Sequence, residues 1–215
     1  MNLFCLRRPL VVLVLTAAVA SVRAGGLESL ESFVKTAASG RADFTQVVTA
    51  PAREGQAARS KTSTGTFEFA RPNRFRFHYL KPFEQTIVAD GQTLWLHDVD
   101  LNQVTARKQS QVLGSTPAAL IAAAPDLGAL RKDFNLEAAP DQGGLQWVQA
   151  TPRAKDGQLS SVKVGFRGNE LAALEIFDSF GQRSVMSFER MQLNKPVAPE
   201  AFQFKPPAGV DVVRQ

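Results

Sequence analysis

Between residues 66 and 79 aromatic and polar side chains alternate one for one. Phe67 and Phe69 are interleaved with Thr66 and Glu68, and Phe75, Phe77 and Tyr79 with Arg74, Arg76 and His78. A helix would scatter these rings around its circumference. Strands, whose successive side chains point to opposite faces, put all of them on one side and the polar residues on the other. Arg71-Pro72-Asn73 supplies the bend between the two runs. The pair is therefore expected to be a hairpin that needs an apolar partner along one whole face.

The same punctuation continues along the chain. Asp90-Gly91 suits a tight turn between strands at Ile87 to Ala89 and Thr93 to His97, with Leu101 to Arg107 extending the meander. Strands are expected again at 134–138, 145–151, 159–166, 171–177 and 184–191, separated by Gly143-Gly144, Asp156-Gly157, Gly168-Asn169 and Ser179-Phe180-Gly181. Two helical regions interrupt this pattern. Leu27, Leu30, Phe33, Val34, Ala37 and Ala38 recur at three- and four-residue steps, predicting an amphipathic helix over 27–39 that stops at Ser39-Gly40. Thr116-Pro117, as an N-cap followed by Pro at the first helical position, predicts a short helix to Ala124, and Pro125-Asp126 a second through Leu130. The expected class is mainly β with some α, a large antiparallel sheet that curls to manage its twist and edges.

The chain has 215 residues and a formal charge of +5. Arg7-Arg8, the apolar run Leu10 to Ala20 and the small residues before Gly25 form a cleavable secretory signal over 1–24, with a second cut after Ala20 as an alternative. Its apolar run would rise about 16 Å as a helix, roughly half a bilayer's hydrocarbon core, which is short for a permanent span. The remaining 25–215 is read as a single domain with 22 basic and 20 acidic side chains, so the charge does not indicate a nucleic-acid partner. The sole cysteine, Cys5, precedes the apolar run, so the mature chain has no thiol for a disulfide, a metal or a lipid anchor.

Catalytic motifs are sparse. His78 and His97 are the only imidazoles, both on expected strands, and His97 and Asp98, as strand neighbours, point to opposite faces. There is no nucleophile elbow, phosphate loop or metal-ligand spacing, and no cofactor is implied. Fifteen Phe stand against one Tyr. Tyr shares the work of Phe where a hydroxyl can reach water, so this imbalance implies rings facing a uniformly apolar interior. A plain core satisfies that pattern. So does a partly empty apolar cavity, because the helices are a thin filling for about ten strands.

The segment from Gly65 to Phe77, with Arg71-Pro72-Asn73-Arg74-Phe75 at its centre, resembles the Arg-Pro-Asn-x-Phe signature of the LolA family of periplasmic lipoprotein carriers. The resemblance continues in order through Asp43 to Gln46, Ile87 to Trp95, Gln103 to Thr105, Ser115 to Pro117 with Leu120-Ile121, and Phe202 to Val210, which covers nearly the whole mature chain. It implies an unclosed antiparallel β-barrel with short helices over its opening as a lid. It implies a soluble periplasmic monomer that takes lipoprotein acyl chains from an inner-membrane ABC transporter of the LolCDE type and delivers them to the outer-membrane receptor LolB. Arg71 would hydrogen-bond lid carbonyls and hold the empty carrier closed. Phe75 and Phe77 would line the acyl-chain cavity, with Phe67, Phe69, Leu94, Leu96 and the lid residues Leu120 and Ile121 behind them. The receptor itself is the nearest rival, but its lipid anchor has no counterpart here. A carrier of another apolar cargo, a secreted enzyme and a scaffolding protein remain as alternatives.

Overall fold

The computed structural model describes residues 25–52, 57–112, 121–122, 124, 126–155 and 157–215; the expected signal segment lies outside them. The first helix, α1 (Gly26–Thr36), leads into β1 (Ser39–Thr49), β2 (Ser60–Ala70), β3 (Arg74–Lys81), β4 (Gln85–Asp90), β5 (Thr93–Asp98) and β6 (Gln103–Lys108). After the short helices α2 (Gln109–Val112) and α3 (Leu127–Asp133) come β7 (Phe134–Gln142), β8 (Leu145–Pro152), β9 (Leu159–Arg167), β10 (Glu170–Asp178), β11 (Arg183–Leu193) and β12 (Asp211–Arg214). The twelve strands form one sheet in the order β12-β6-β5-β4-β3-β2-β1-β11-β10-β9-β8-β7. Each pairing is antiparallel except β12 on β6. The two ends of that order are different strands that do not pair, so the sheet is not closed.

One ring shows how strongly the sheet bends. Phe33 of α1 lies 6.0 Å from Phe69 of β2 and 5.8 Å from Phe166 of β9. In sheet order those strands are four apart, about 19 Å in a flat sheet. Both rings reach the same helical side chain because the sheet wraps around it. Leu30, Phe33 and Val34 are buried on that side of α1, against Phe69, Val148, Val164 and Phe166.

The expected helix over 27–39 ends earlier, and Ser39-Gly40, expected as a stop, opens the central strand β1. The cause is a cap from far along the chain. Asn194 accepts from the Ala38 N–H at 2.8 Å and donates to the Thr36 carbonyl at 2.9 Å, turning the backbone out of the helix. In β1 the inward positions are Gly40, Ala42, Phe44 and Gln46, too mixed to register as a strand. Gly65 of β2, opposite Phe44, has the complementary role: a Cβ there would lie 2.8 Å from the Phe44 ring. Its absence lets Phe44 cross β2 and meet Tyr79 of β3 at 5.0 Å.

The second expected short helix exists as α3, capped by Asp126, whose carboxylate accepts from the Ala129 N–H at 2.7 Å. The first, from Thr116 to Ala124, lies largely outside the described residues; Ile121 and Ala122 form part of a helical turn. The outer face of β3 to β6 has its own cover. Phe202 is buried there beneath the Arg74 guanidinium, and Phe204 packs against Trp95 and His97 at 5.5 and 5.7 Å. His97 is thus a packing residue on the outside of the sheet.

Asp90 secures the β4–β5 turn. Its carboxylate accepts from the N–H groups of Gln92 and Thr93 at 2.8 and 2.7 Å and from the Trp95 indole at 2.9 Å. Burial alone would raise its pKa, but the hydrogen bonds from Thr93, Trp95 and Gln92 outweigh it and hold the carboxyl below its ordinary value. A depressed folded pKa contributes stability above the unfolded value that is lost as pH falls through the folded one. Asp90→Asn is therefore expected to flatten the acid limb of the stability curve, measured by urea unfolding between neutral pH and pH about 3; an unchanged acid limb would contradict this.

Candidate functional site

Arg71 occupies the turn between β2 and β3, with its own N–H bonded to the Ala38 carbonyl at 2.8 Å. Its guanidinium reaches across the end of the sheet and donates in three directions. Nε donates to the Ala37 carbonyl at 2.8 Å, Nη2 to the Ile121 carbonyl at 2.9 Å, and Nη1 to the Ala124 carbonyl. Its carbon lies 5.7 Å from the Phe33 ring centroid and 5.8 Å from that of Phe69. A planar group with five donors suits this place, since one cation ties the end of α1 to two carbonyls of the 121–124 segment. Burial lowers its pKa to about 10, which leaves it charged at neutral pH. A lysine ammonium, with three donors on one atom, could not meet three carbonyls in this fork.

Gln109, unmarked in the sequence reading, is the second anchor of this region. Its buried amide donates to the Asn73 carbonyl at 2.6 Å and accepts from the Gly91 N–H at 3.0 Å, while its own backbone N–H donates to Gln92 at 2.8 Å. The root of the connection that leads to Ile121 is thereby tied to the same turn that carries Arg71. Asp126 fixes the other root as the cap of α3.

Below Arg71 the predicted lining residues of β2 to β5 share the concave face. Phe75 stands opposite Ala89 and Phe77 opposite Ile87; across β4, Leu94 faces Ala89 and Leu96 faces Ile87. Phe67 lies 4.5 Å from Phe77, 5.6 Å from Phe69 and 5.5 Å from Phe188, and Phe75 lies 5.9 Å from Phe77. Ile121 is fully buried with them, Leu94 and Leu96 are half-buried, and Leu120 falls outside the described residues.

In this structure these rings pack against one another. Phe67, Phe69, Phe75 and Phe77 are at most 8% exposed and rest on one another. A cavity of about 680 Å³ exists farther along the sheet, away from Arg71, and none of the predicted lining residues borders it. Apolar walls without an occupant lose contacts on one side, so closing onto each other is the favourable arrangement. Tyr79 stands between the packed rings and that cavity, and burial pushes its hydroxyl pKa up to about 12, so it remains a hydrogen-bond donor.

Among the described residues no group of three or more His, Cys, Asp or Glu could hold a metal, and no helix is long and apolar enough to cross a membrane. The family model described as outer membrane lipoprotein carrier protein LolA matches residues 35–205. The chain belongs to the LolA family. The outer-membrane lipoprotein carrier protein of Albidiferax ferrireducens is 73% identical over 196 residues, covering 89% of this chain and 92% of that one. The protein of the same description from Methylibium petroleiphilum is 53% identical over 201 residues, covering 94% and 95%. Among solved structures, a LolA superfamily protein from Nitrosomonas europaea overlays with a TM-score of 0.46 at 12% identity, covering 84% of this chain and 98% of that one. In this LolA-family chain Arg71 lies within the matched range and donates to the Ile121 and Ala124 carbonyls.

Proposed function

We propose that this chain carries lipoproteins across the periplasm by sheltering their acyl chains, and that it is not an enzyme. It receives them from an inner-membrane ABC transporter of the LolCDE type and passes them to the receptor LolB. The observation that supports this most is Arg71, whose guanidinium holds Ile121 and Ala124 over a concave face packed with phenylalanines. At about 0.8 kcal/mol per buried CH₂, two chains of roughly sixteen carbons would cost on the order of 25 kcal/mol to expose to water. A carrier must replace that water with apolar surface and must also release the chains.

The geometry supports a latch made of small parts. Each carbonyl bond to Arg71 is modest and independently breakable, whereas the bond to Ala37 joins the arginine to α1 and can persist when the other two part. Acyl chains would enter by displacing Ile121 from the phenylalanine face and would be rewarded by the ring contacts that now join Phe67 to Phe77. The closed, ring-packed form is the empty carrier. Release is favoured because the emptied interior recovers both the ring packing and the latch.

The test is a release assay. Purified mature protein is added to energised spheroplasts holding a labelled outer-membrane lipoprotein, and label is followed in the soluble fraction. The expected result is a soluble one-to-one complex. Absence of release by a folded protein that still binds free lipid would move the function to another apolar cargo, to be identified by mass spectrometry of what copurifies.

A further inference from the structure

The concave face changes chemistry along several of its strands. On β1 Phe44 gives way to Gln46, on β3 Phe77 to Tyr79, on β4 Ile87 to Gln85 and on β5 Leu96 to Asp98. Register places these polar positions in two sets: Gln46 faces Ser63 of β2, and Gln85 faces both Tyr79 and Asp98, with Tyr79 opposite Gly65 and so one pair nearer the phenylalanines than Ser63. A curved sheet buried in a simple core would have no need of inward polar positions toward the same end of several strands. The switch produces an apolar layer toward Arg71 and a polar ring at the opposite end.

That ring borders the cavity of about 680 Å³, a volume within the roughly 300–1,000 Å³ usual for small-molecule sites. The lining is balanced in charge. Arg59 and Lys61 are matched by Asp98 and Asp100, and the Lys61 ammonium rests 4.3 Å over the Phe83 ring. Gln46 donates to the Ser184 hydroxyl at 2.7 Å and keeps its carbonyl oxygen for another partner. Gln85 and Ser63 make no side-chain hydrogen bond among the described residues. Amides and hydroxyls that both donate and accept, without a net charge, suit esters and peptide groups better than a phosphate.

Resting on the carrier reading above, we infer that the ring of Gln46, Ser63, Tyr79 and Gln85 is the subsite for the polar end of the cargo. It takes the glycerol ester carbonyls and the first backbone amides of an acylated N-terminal cysteine, while the chains run past Tyr79 into the phenylalanine layer. The ring thereby sets how deep the cargo sits and distinguishes an acylated peptide from an ordinary phospholipid.

The test uses the full mature chain and displacement of an apolar fluorescent probe by three competitors. These are a synthetic dipalmitoyl-glyceryl-cysteinyl pentapeptide, dipalmitoylglycerol and dipalmitoyl phosphatidylglycerol. Wild type is expected to prefer the lipopeptide, and Gln85→Leu with Ser63→Val to weaken it about tenfold while leaving the probe itself within about twofold. Both positions are only half-buried, so the doubly substituted chain should fold, and its urea midpoint checks this. Equal weakening of lipopeptide and probe, or no weakening of either, would overturn the subsite while leaving the carrier reading intact. Tightest binding of phosphatidylglycerol would overturn it in favour of a phosphate head. Displacement by none of the three would overturn the carrier reading, and the subsite with it.

Discussion

Arg71→Leu is expected to load lipoprotein and fail to pass it on. The substitution removes three hydrogen bonds from a charged donor and leaves the carbonyls of Ala37, Ile121 and Ala124 without that partner in the closed form. The Ala37 bond is common to both forms, so at about 1.5–3 kcal/mol for each of the two bonds to Ile121 and Ala124 the closed form loses on the order of 3–6 kcal/mol relative to the open one. A shift of that size can invert a two-state population, since about 5.5 kcal/mol carries an equilibrium from 1:99 to 99:1. On the proposed carrier reading the loaded form makes no use of the latch and is unaffected. Handover therefore loses its driving force, and transfer to purified receptor is expected to fall at least about a hundredfold while release from spheroplasts continues. Arg71→Lys should fall between the two, because one ammonium satisfies fewer of the three carbonyls. Normal handover by Arg71→Leu would show that the guanidinium is only a turn residue braced on Phe33 and Phe69.

Phe67→Ala is expected to give the largest loss of stability. Phe67 is fully buried at the meeting point of Phe69, Phe77 and Phe188, with stacked rings 5.6 and 4.5 Å away on two sides. Removing such a ring costs about 3–5 kcal/mol where the surroundings cannot collapse. Urea unfolding of the empty protein should show that loss as a lower midpoint at constant slope. A loss below about 1 kcal/mol would mean that the rings are loosely held and that the empty interior is already open.

The strands with the clearest alternation were legible because one face of each is uniformly aromatic. β3 carries Phe75, Phe77 and Tyr79 inward against Arg74, Arg76 and His78 outward, and the Asp90-Gly91 turn follows from local chemistry alone. β1 was not legible, because its inward side mixes Gly40, Ala42 and Gln46, and its start is set by Asn194 at the other end of the chain. The contacts of Arg71 were half legible. Arg71 beside Pro72 reads on its own as a solvated turn arginine, and family resemblance singled it out. Its acceptors are backbone carbonyls, which leave no mark in a sequence, and Gln109 is an unremarkable glutamine until Asn73 and Gly91 close around it. The phenylalanines identified the apolar face correctly, but no periodicity could tell rings that border a space from rings that fill it. That difference depends on whether anything occupies the interior.

The most direct test of the carrier reading is to ask what touches Phe77 in the loaded state. A photoreactive phenylalanine is placed at position 77, the carrier is loaded with lipoprotein labelled in its palmitoyl chains, and the complex is irradiated and then digested to remove the cargo polypeptide. The palmitoyl label is expected to remain on the carrier, in about one copy per molecule, and to disappear when receptor is added before irradiation. Crosslinks confined to the cargo polypeptide, or label that stays unbound after irradiation of a stable complex, would show that the acyl chains travel elsewhere.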